Sequence, residues 1–329
     1  MAHKKDDITI FTPSSVAVEQ IQKRFRQKTL TTQNIPDSDI EVLYFAGGGV
    51  LHDLWIEANF PEQLIKKINC PIILFAVGIP HGEGFTLISH RINYFIDKIS
   101  FFSFRDHVSQ KIFSNLWDKP SYIIPDLGFL TKKLDAKPTG QILLQKKQRI
   151  SGNYSKLTPK NYKQIMELQF QLLHEKYNSS FLEWNNFDKV IKEISESKWI
   201  VASSLHCGII SFTQQIPFSI LAYQGKVTDV LSSIANKNRI IYPDEVHKTE
   251  RFIPPLPFSE LEKENLANLQ TYLTRSLSLI HRAAENSKIE DLKLEDPPLR
   301  FKQEKKIHQY GRVYGKLHRR IYNRLKKFF

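Results

Sequence analysis

A histidine and a lysine each follow an apolar run in the middle of the chain. His206 comes shortly after the run 199–202, and Lys226 comes shortly after the run 218–223. Such runs form strands buried on both faces, and ligands bind beyond the carboxyl ends of parallel strands. An imidazole titrates near neutrality and suits proton transfer, whereas a lysine ammonium suits a bound phosphate. The segment 207–212 predicts a helix start, whose free N–H groups would favour an anion beside His206.

Both side chains also have ordinary structural interpretations. A lone histidine is often a buried residue with satisfied hydrogen bonds, and a lysine after a turn is common on protein surfaces. The position of His206, between a predicted strand and a predicted helix rather than inside either, favours the functional interpretation.

Two further predicted strands lead into glycines. The run 42–45 is followed by three glycines at 47–49, and the run 71–77 is followed by Gly78. Glycine lets the backbone approach a ligand or a neighbouring helix closely. The triplet lacks the G-x-G-x-x-G spacing of dinucleotide-binding domains, so a ligand and a tight strand–helix corner both explain it.

An arginine ends the predicted strand 101–104. Arg105 is followed directly by Asp106. A guanidinium binds carboxylates and phosphates through paired hydrogen bonds, which predicts an anion-binding role at this strand end. The alternatives are a structural pair with Asp106, a solvated face and a domain interface.

The recurring order of strand, polar or glycine-rich end, and helix predicts an α/β fold with parallel, doubly wound sheets. A polar stretch over 132–139 is the predicted linker, which divides the chain into domains over 1–135 and 136–295 and a tail over 296–329. Strands are predicted to begin near residues 8, 42, 71, 101, 122, 141, 199, 218 and 240, and helices to cover 16–27, 51–69 with a break at Pro61, 91–98, 109–117, 162–177, 187–196 and 259–287.

Composition narrows the class of protein. A hydrophobic share of 41% and a charged share of 25% are typical of a globular protein rather than a disordered chain. Cys70 and Cys207 both lie in apolar surroundings, so we expect neither a disulfide framework nor a zinc site, and no other metal. The first residues contain no apolar signal core, and no run has membrane-spanning length, so we expect a cytoplasmic location.

The end of the chain is strongly basic. Ten Lys or Arg and one acid lie between Phe301 and Phe329, which accounts for nine of the thirteen net positive charges. Apolar residues recur there every three or four positions, which predicts a basic amphipathic helix on an anionic membrane, at the inner face of the plasma membrane. A helix docked on the body and a disordered tail are the alternatives. Nucleic-acid binding is not expected, because the rest of the chain lacks a basic face.

Six short motifs follow one another along the chain. They are GGG at 47–49 with Asp53, GIP at 78–80, SFRDxxS at 103–109, PDxxF at 125–129, ASSLH at 202–206 and YxxK at 223–226. Their order and spacing, over about residues 40 to 235, resemble those of the polysaccharide pyruvyl transferase family. Ser204 stands where the family usually has an arginine before the Leu-His pair, so that positive charge is either missing or supplied by another residue, such as Lys226 or Lys146.

The resemblance implies two Rossmann-like domains facing a cleft, similar to the GT-B plan of many glycosyltransferases. It implies transfer of pyruvate from phosphoenolpyruvate to two hydroxyls of a sugar, forming a cyclic ketal, in the biosynthesis of an exopolysaccharide or another cell-surface polysaccharide. Phosphoenolpyruvate is then the donor substrate, no further cofactor is expected, and the membrane-binding tail favours a lipid-linked saccharide as acceptor. The site residues implied are Arg105 and His206 as catalytic groups, with Gly47, Gly48, Gly49, Asp53, Gly78, Leu205 and Lys226 binding substrate.

In ketal formation the methylene carbon of the donor gains a proton and two sugar hydroxyls lose theirs. His206 is the candidate general acid and base for these proton transfers. Asp53, Asp106 and Asp126 could orient sugar hydroxyls, although helix capping is the preferred interpretation of the last two. The second-choice site residues are His52, His81 and His107.

Two other functions fit the same pattern. One is a GT-B-type glycosyltransferase with a nucleotide-sugar donor, which a thermal shift by a nucleotide but not by phosphoenolpyruvate would favour. The other is a non-catalytic, membrane-associated scaffold. Function in cells that survived loss of His206 but not loss of 301–329 would favour the scaffold.

Overall fold

The computed structural model describes residues 9–12, 28–37, 40–46, 48–82, 85–86, 88–146, 159–184, 186–222, 225–232, 234–242, 245, 255–286 and 288–298. The predicted helix over 16–27, the predicted amphipathic tail over 301–329 and Gly47 lie outside these residues.

The described elements alternate between strand and helix, as the sequence predicts. In chain order the strands are β1 (Thr9–Thr12), β2 (Lys28–Thr31), β3 (Leu43–Ala46), β4 (Ile72–Val77), β5 (His81–Gly82), β6 (Phe85–Thr86), β7 (Ile99–Phe104), β8 (Tyr122–Ile123), β9 (Ile142–Gln145), β10 (Ser180–Phe181), β11 (Trp199–Ala202), β12 (Phe218–Leu221) and β13 (Ile240–Ile241). The α-helices are α1 (Asp53–Asn59), α2 (Glu62–Lys66), α3 (Asn93–Ile96), α4 (His107–Ser114), α5 (Pro159–Tyr177), α6 (Phe187–Glu196), α7 (Leu205–Gln214), α8 (Gly225–Leu231) and α9 (Glu260–Glu285).

The first large sheet has four parallel strands in the order β3-β4-β7-β8. Every residue of β4 is buried, because its two faces pack against different cores. Leu74 belongs to a core formed within the first sheet and its helices, whereas Ile73 and Phe75 join a core that extends into the second half of the chain. A strand apolar along its whole length is therefore required at this position.

The second large sheet has five parallel strands in the order β10-β9-β11-β12-β13. The strands β11 and β12 are buried throughout. The prediction of an α/β fold with parallel sheets is thus confirmed by both sheets. The edge strand β10 was not predicted, because two residues are too few to produce a sequence pattern.

The helix α8, which begins at Gly225, is absent from the helices predicted from the sequence. Val227, Val230 and Leu231 are buried at helical spacing, and the burial of this apolar face explains the helix.

The helix α9 joins the two sheets. It begins with a capping box in which Ser259 and Glu262 bond to each other's backbone N–H groups. Its Leu269 and Leu273 are buried in the core of the second half, and its Tyr272 hydroxyl donates to the carbonyl of Ile123 beside the first sheet at 2.8 Å. A polar stretch without helix or strand, 131–141, connects the two sheets. Domain limits at residues 135 and 295 stay a prediction.

A buried ion pair attaches the second sheet to the start of α9. Arg239 is 1% exposed, and its Nε and Nη2 donate to the two oxygens of Glu262 at 2.8 and 3.0 Å. Burial alone would raise the pKa of Glu262, but hydrogen bonds from Arg239 and from the backbone of Asn236 and Ser259, with the charge of Arg239, lower it overall.

No helix in the described part of the chain is both long enough and apolar enough to cross a membrane.

Candidate functional site

Arg105 lies at the carboxyl end of β7 and is only 4% exposed. Its Nε lies 3.4 Å from an oxygen of Asp106, and its Nη1 lies 3.9 Å from Oδ2 of Asp126. A Cβ atom added to Gly78 would lie 2.5 Å from Nη2 of Arg105. The guanidinium therefore rests directly on the Gly78 backbone, and a glycine is required there for steric reasons.

The end of β4 departs from a regular strand just before Gly78. Ala76 has a left-handed φ of 51°, and the pairing of β4 with β7 shifts register between Leu74 and Val77. The hydroxyl of Ser103 stabilises this irregularity, because its oxygen accepts from the Ala76 N–H and donates to the Leu74 carbonyl, both at 3.0 Å. Non-glycine residues in this conformation cluster at functional sites. No sequence pattern predicts this conformation, since alanine rarely adopts a positive φ.

Two carboxylates beside Arg105 cap helical turns with one oxygen each. Asp106 accepts from the Ser109 N–H at 2.7 Å and begins α4. Asp126 accepts from the Gly128 N–H at 2.9 Å through Oδ1 and begins the 3-10 turn Leu127–Leu130. Capping, the interpretation preferred from the sequence, is therefore what both residues do. Each keeps its second oxygen near Arg105.

His206 reaches the same cluster from the second sheet. It lies in the first turn of α7, beyond the end of β11, and its side chain is 55% exposed. Its Nε2 lies 4.0 Å from Oδ2 of Asp126. One carboxylate oxygen thus lies between Arg105 of the first sheet and His206 of the second. The sequence could not show this meeting, because the residues are far apart along the chain.

Residues adjacent to His206 have structural roles. Leu205 is 3% exposed and packs in the core, so its side chain does not face solvent as the histidine does. Cys207 is fully buried, and burial raises the pKa of its thiol, with a smaller opposing effect from Ser211. A thiol held in its neutral form is a poor nucleophile, which leaves His206 as the reactive side chain of this turn.

Lysines flank His206 at the same edge of the second sheet. The strand β9, on one side of β11, is followed by Lys146, and β12, on the other side, leads into α8 and the partly buried Lys226. Lys146 forms an ion pair of 3.1 Å with Glu167. Neighbouring parallel strands end at one edge, so both lysines follow strands that end at the same edge as β11, although the charge of Lys146 is offset by Glu167.

The glycine loop at 48–49 lies beside Arg105, whereas Asp53 forms hydrogen bonds elsewhere. A Cβ atom on Gly49 would lie 3.7 Å from Nη2 of Arg105, and the N–H of Gly78 donates to the carbonyl of Gly48 at 2.7 Å. This loop therefore covers the guanidinium. Asp53 instead accepts from the backbone N–H and hydroxyl of Ser89 at 2.9 and 2.6 Å, which is a structural arrangement at the start of α1.

The second-choice histidines lie elsewhere. His52 accepts from the Trp55 N–H at 3.2 Å and caps α1, and burial lowers its pKa against an opposing effect of Asp53. Burial also lowers the pKa of His107, although the negative charges of Asp106 and Asp296 act to raise it. The side chain of His81 lies outside the described residues. A capping role explains His52 without chemistry.

The described residues contain no group of three or more His, Cys, Asp or Glu that could hold a metal ion. A crevice of about 710 Å³ lies at the opposite edge of the second sheet, before β9 and β10, and is lined by 139–142, His174 and 177–180. Arg105, Asp126 and His206 are not among its lining residues. The site is thus assigned from side-chain chemistry rather than from a deep cavity.

Comparison with known families identifies the family of the chain. The family model described as polysaccharide pyruvyl transferase matches residues 4–225, which is more than half of the chain and includes Arg105, Asp126 and His206. The chain belongs to the polysaccharide pyruvyl transferase family. As a member of this family it is a transferase.

Solved structures show more distant similarity. A functionally uncharacterised protein from Klebsiella pneumoniae subsp. pneumoniae NTUH-K2044 is 17% identical, with coverage of 71% of this chain and 91% of that chain and a TM-score of 0.39. The calicheamicin glycosyltransferase CalG4 is 10% identical, with coverage of 86% and 90% and a TM-score of 0.43. The search of curated proteins found no match to this chain.

Proposed function

We propose that this pyruvyl transferase moves pyruvate from phosphoenolpyruvate to two hydroxyls of a sugar and forms a cyclic ketal. The observation that carries the proposal is the approach of His206 and Arg105 to one oxygen of Asp126, at strand ends of two sheets. The family supports the pyruvyl group, and an exposed imidazole among positive charges suits an anionic donor whose reaction is acid–base chemistry.

The reaction needs two proton-transfer stages. Protonation of the methylene carbon makes it a methyl group and leaves a cation at C2, which the first sugar hydroxyl attacks as it loses its proton. The C2–O bond to phosphate then breaks, and the second hydroxyl attacks C2 and loses its proton to the departing phosphate. The products are the ketal and inorganic phosphate, with no oxidation or reduction. In this proposal His206 delivers the first proton and receives one from a hydroxyl.

The positively charged residues near the site have different proposed roles. Arg105 is too buried to form paired hydrogen bonds with a substrate in the described conformation. We therefore assign it the role of a fixed positive charge that stabilises the anionic donor from beneath. Lys226 and Lys146 lie at the edge where phosphate would leave, and α7 directs its free N–H groups to the same edge. This arrangement replaces the arginine that the family usually carries at the position of Ser204.

We further propose a lipid-linked saccharide as the acceptor, in exopolysaccharide or cell-surface polysaccharide biosynthesis. The family supports a saccharide acceptor. The basic segment 301–329 supports a membrane-bound one, because ten Lys or Arg at an anionic surface contribute on the order of 1 kcal/mol each.

Ligand-dependent thermal stability tests the donor. Phosphoenolpyruvate is expected to raise the unfolding midpoint, whereas UDP-glucose and inorganic phosphate at equal concentration are expected to raise it less. A rise with UDP-glucose and none with phosphoenolpyruvate would overturn the proposal in favour of a nucleotide-sugar donor. No rise with any of the three would also contradict it and favour the scaffold.

Phosphate release tests the role of His206. With lipid-linked saccharides extracted from the source cells, His206→Gln is expected to slow release from phosphoenolpyruvate by about 10²–10⁴-fold. The matched control is His174→Gln, another exposed histidine, which lines the remote crevice. Equal rates in the two variants would remove His206 from the mechanism.

A further inference from the structure

The two oxygens of Asp126 have different surroundings. Oδ1 accepts from the Gly128 N–H at 2.9 Å and holds the 3-10 turn. Oδ2 lies 3.9 Å from Arg105 Nη1 and 4.0 Å from His206 Nε2, and the side chain is only 10% exposed. Capping a turn needs only the first oxygen. The second is a buried carboxylate oxygen directed toward a half-exposed imidazole.

We propose that Asp126 is a positioning residue that orients the His206 ring and favours its protonated form during pyruvyl transfer. This inference rests on the proposed function. Nε2 lies 4.0 Å from Oδ2, so a hydrogen bond between them requires the exposed imidazole to move about 1 Å closer. Nδ1 is then the ring atom that exchanges protons with substrate. No bond is made or broken at Asp126.

The charges around the cluster support this role. Asp106 and Asp126 surround one guanidinium, so the group formed with Arg105 carries one net negative charge before His206 is protonated. A protonated imidazole would balance that charge. Lys226, at a neighbouring strand end, acts in the opposite direction, whereas the charge of Lys146 is offset by its 3.1 Å ion pair with Glu167. Asp126 lies 4.0 Å from His206, and its negative charge raises the proton affinity of the ring. It therefore opposes the effect of the positive charge nearby.

Substitution by asparagine distinguishes the effect of the negative charge of Asp126 from its role in capping the 3-10 turn. The amide oxygen in Asp126→Asn can still accept from Gly128, so the turn is preserved while the charge is removed. Asp106→Asn is the matched control, because it also keeps a cap and also removes one negative charge beside Arg105, while the described contacts of Asp106 are with Ser109 and Arg105. NMR titration of the His206 ring is expected to move to lower pH in Asp126→Asn, and to move less than half as far in Asp106→Asn.

The ring tautomer gives a test that needs no substitution at Asp126. Nitrogen NMR of the unmodified protein, above the titration of the ring, is expected to show Nε2–H, with signals assigned through His206→Gln. A predominant Nδ1–H tautomer would overturn the inference even if Asp126→Asn failed to fold. Equal titration of His206 in the wild type and in Asp126→Asn would overturn it as well.

These measurements use the protein without substrate, so they do not depend on the donor. A shifted titration in a protein that fails to respond to phosphoenolpyruvate would refute the proposed function and leave the Asp126–His206 pair in place. In an active protein, the acidic limb of the pH profile of phosphate release should move with the titration of His206. An unmoved profile would show that Asp126 has only a structural role.

Discussion

Replacement of Gly78 by alanine tests whether the site depends on Arg105 lying against the backbone. The added Cβ would lie 2.5 Å from Nη2 and 2.6 Å from Cζ and Nε of Arg105. Ordinary contacts between such atoms are about 3.5–4.0 Å, so the guanidinium would have to move by about 1 Å. Arg105 is 4% exposed and lies between two carboxylates, so it cannot simply swing into solvent.

The expected cost follows from this crowding. Overfilling a packed interior typically destabilises by about 1–3 kcal/mol, which would lower the thermal midpoint by a few degrees. Misplacement of a charge near the reacting atoms by about 1 Å can reduce the rate by about 10²-fold. We therefore expect Gly78→Ala to impair phosphate release from phosphoenolpyruvate by about 10–100-fold at a temperature where the variant is folded.

Gly49→Ala is the matched control, because Gly49 also lies near Nη2 of Arg105 but at ordinary contact distance. Its Cβ would lie 3.7 Å from Arg105 Nη2 and from Pro80 Cγ, which is ordinary contact, so we expect a change in stability within about 0.5 kcal/mol. Thermal unfolding and phosphate release would be measured for both variants. If Gly78→Ala matched Gly49→Ala in both assays, the steric argument for the site would be wrong.

Two further predictions concern stability and membrane binding. Glu262→Gln should destabilise by about 3–5 kcal/mol because it leaves buried Arg239 without a carboxylate. Since the folded-state pKa of Glu262 is lowered, its contribution is present above the unfolded-state pKa of about 4.3 and is lost as pH falls through the folded value. Urea unfolding between pH 7 and 3 should therefore show less loss of stability in the variant, and parallel curves would contradict this. Deletion of 301–329 should abolish cosedimentation with phosphatidylglycerol-rich vesicles and spare the thermal shift by phosphoenolpyruvate, whereas retained cosedimentation would exclude the tail as the membrane anchor.

Much of the fold could be predicted because its signals are local. The buried strand β4 appears as an unbroken apolar run, and α6 matches the predicted helix over 187–196 at both ends. The helix α8 and the edge strand β10 were missed, since a glycine-initiated helix resembles a turn and a two-residue strand has no period.

The candidate site was only partly predictable. Strand ends such as those before Arg105 and His206 are visible in sequence, because apolar runs stop there and polar residues begin. The left-handed Ala76 was not visible, since its conformation depends on hydrogen bonds from Ser103 on a neighbouring strand.

The amino-acid sequence by itself determined the parallel α/β plan, the family and the residue types available at each strand end, because periodicity and short motifs are properties of neighbouring residues. Tertiary structure alone decided that Arg105 is buried against Gly78 and that Asp126 stands between it and His206. Those relations join residues that lie up to a hundred positions apart, and their distances depend on how two sheets and α9 pack. Local patterns carry no information about such distances.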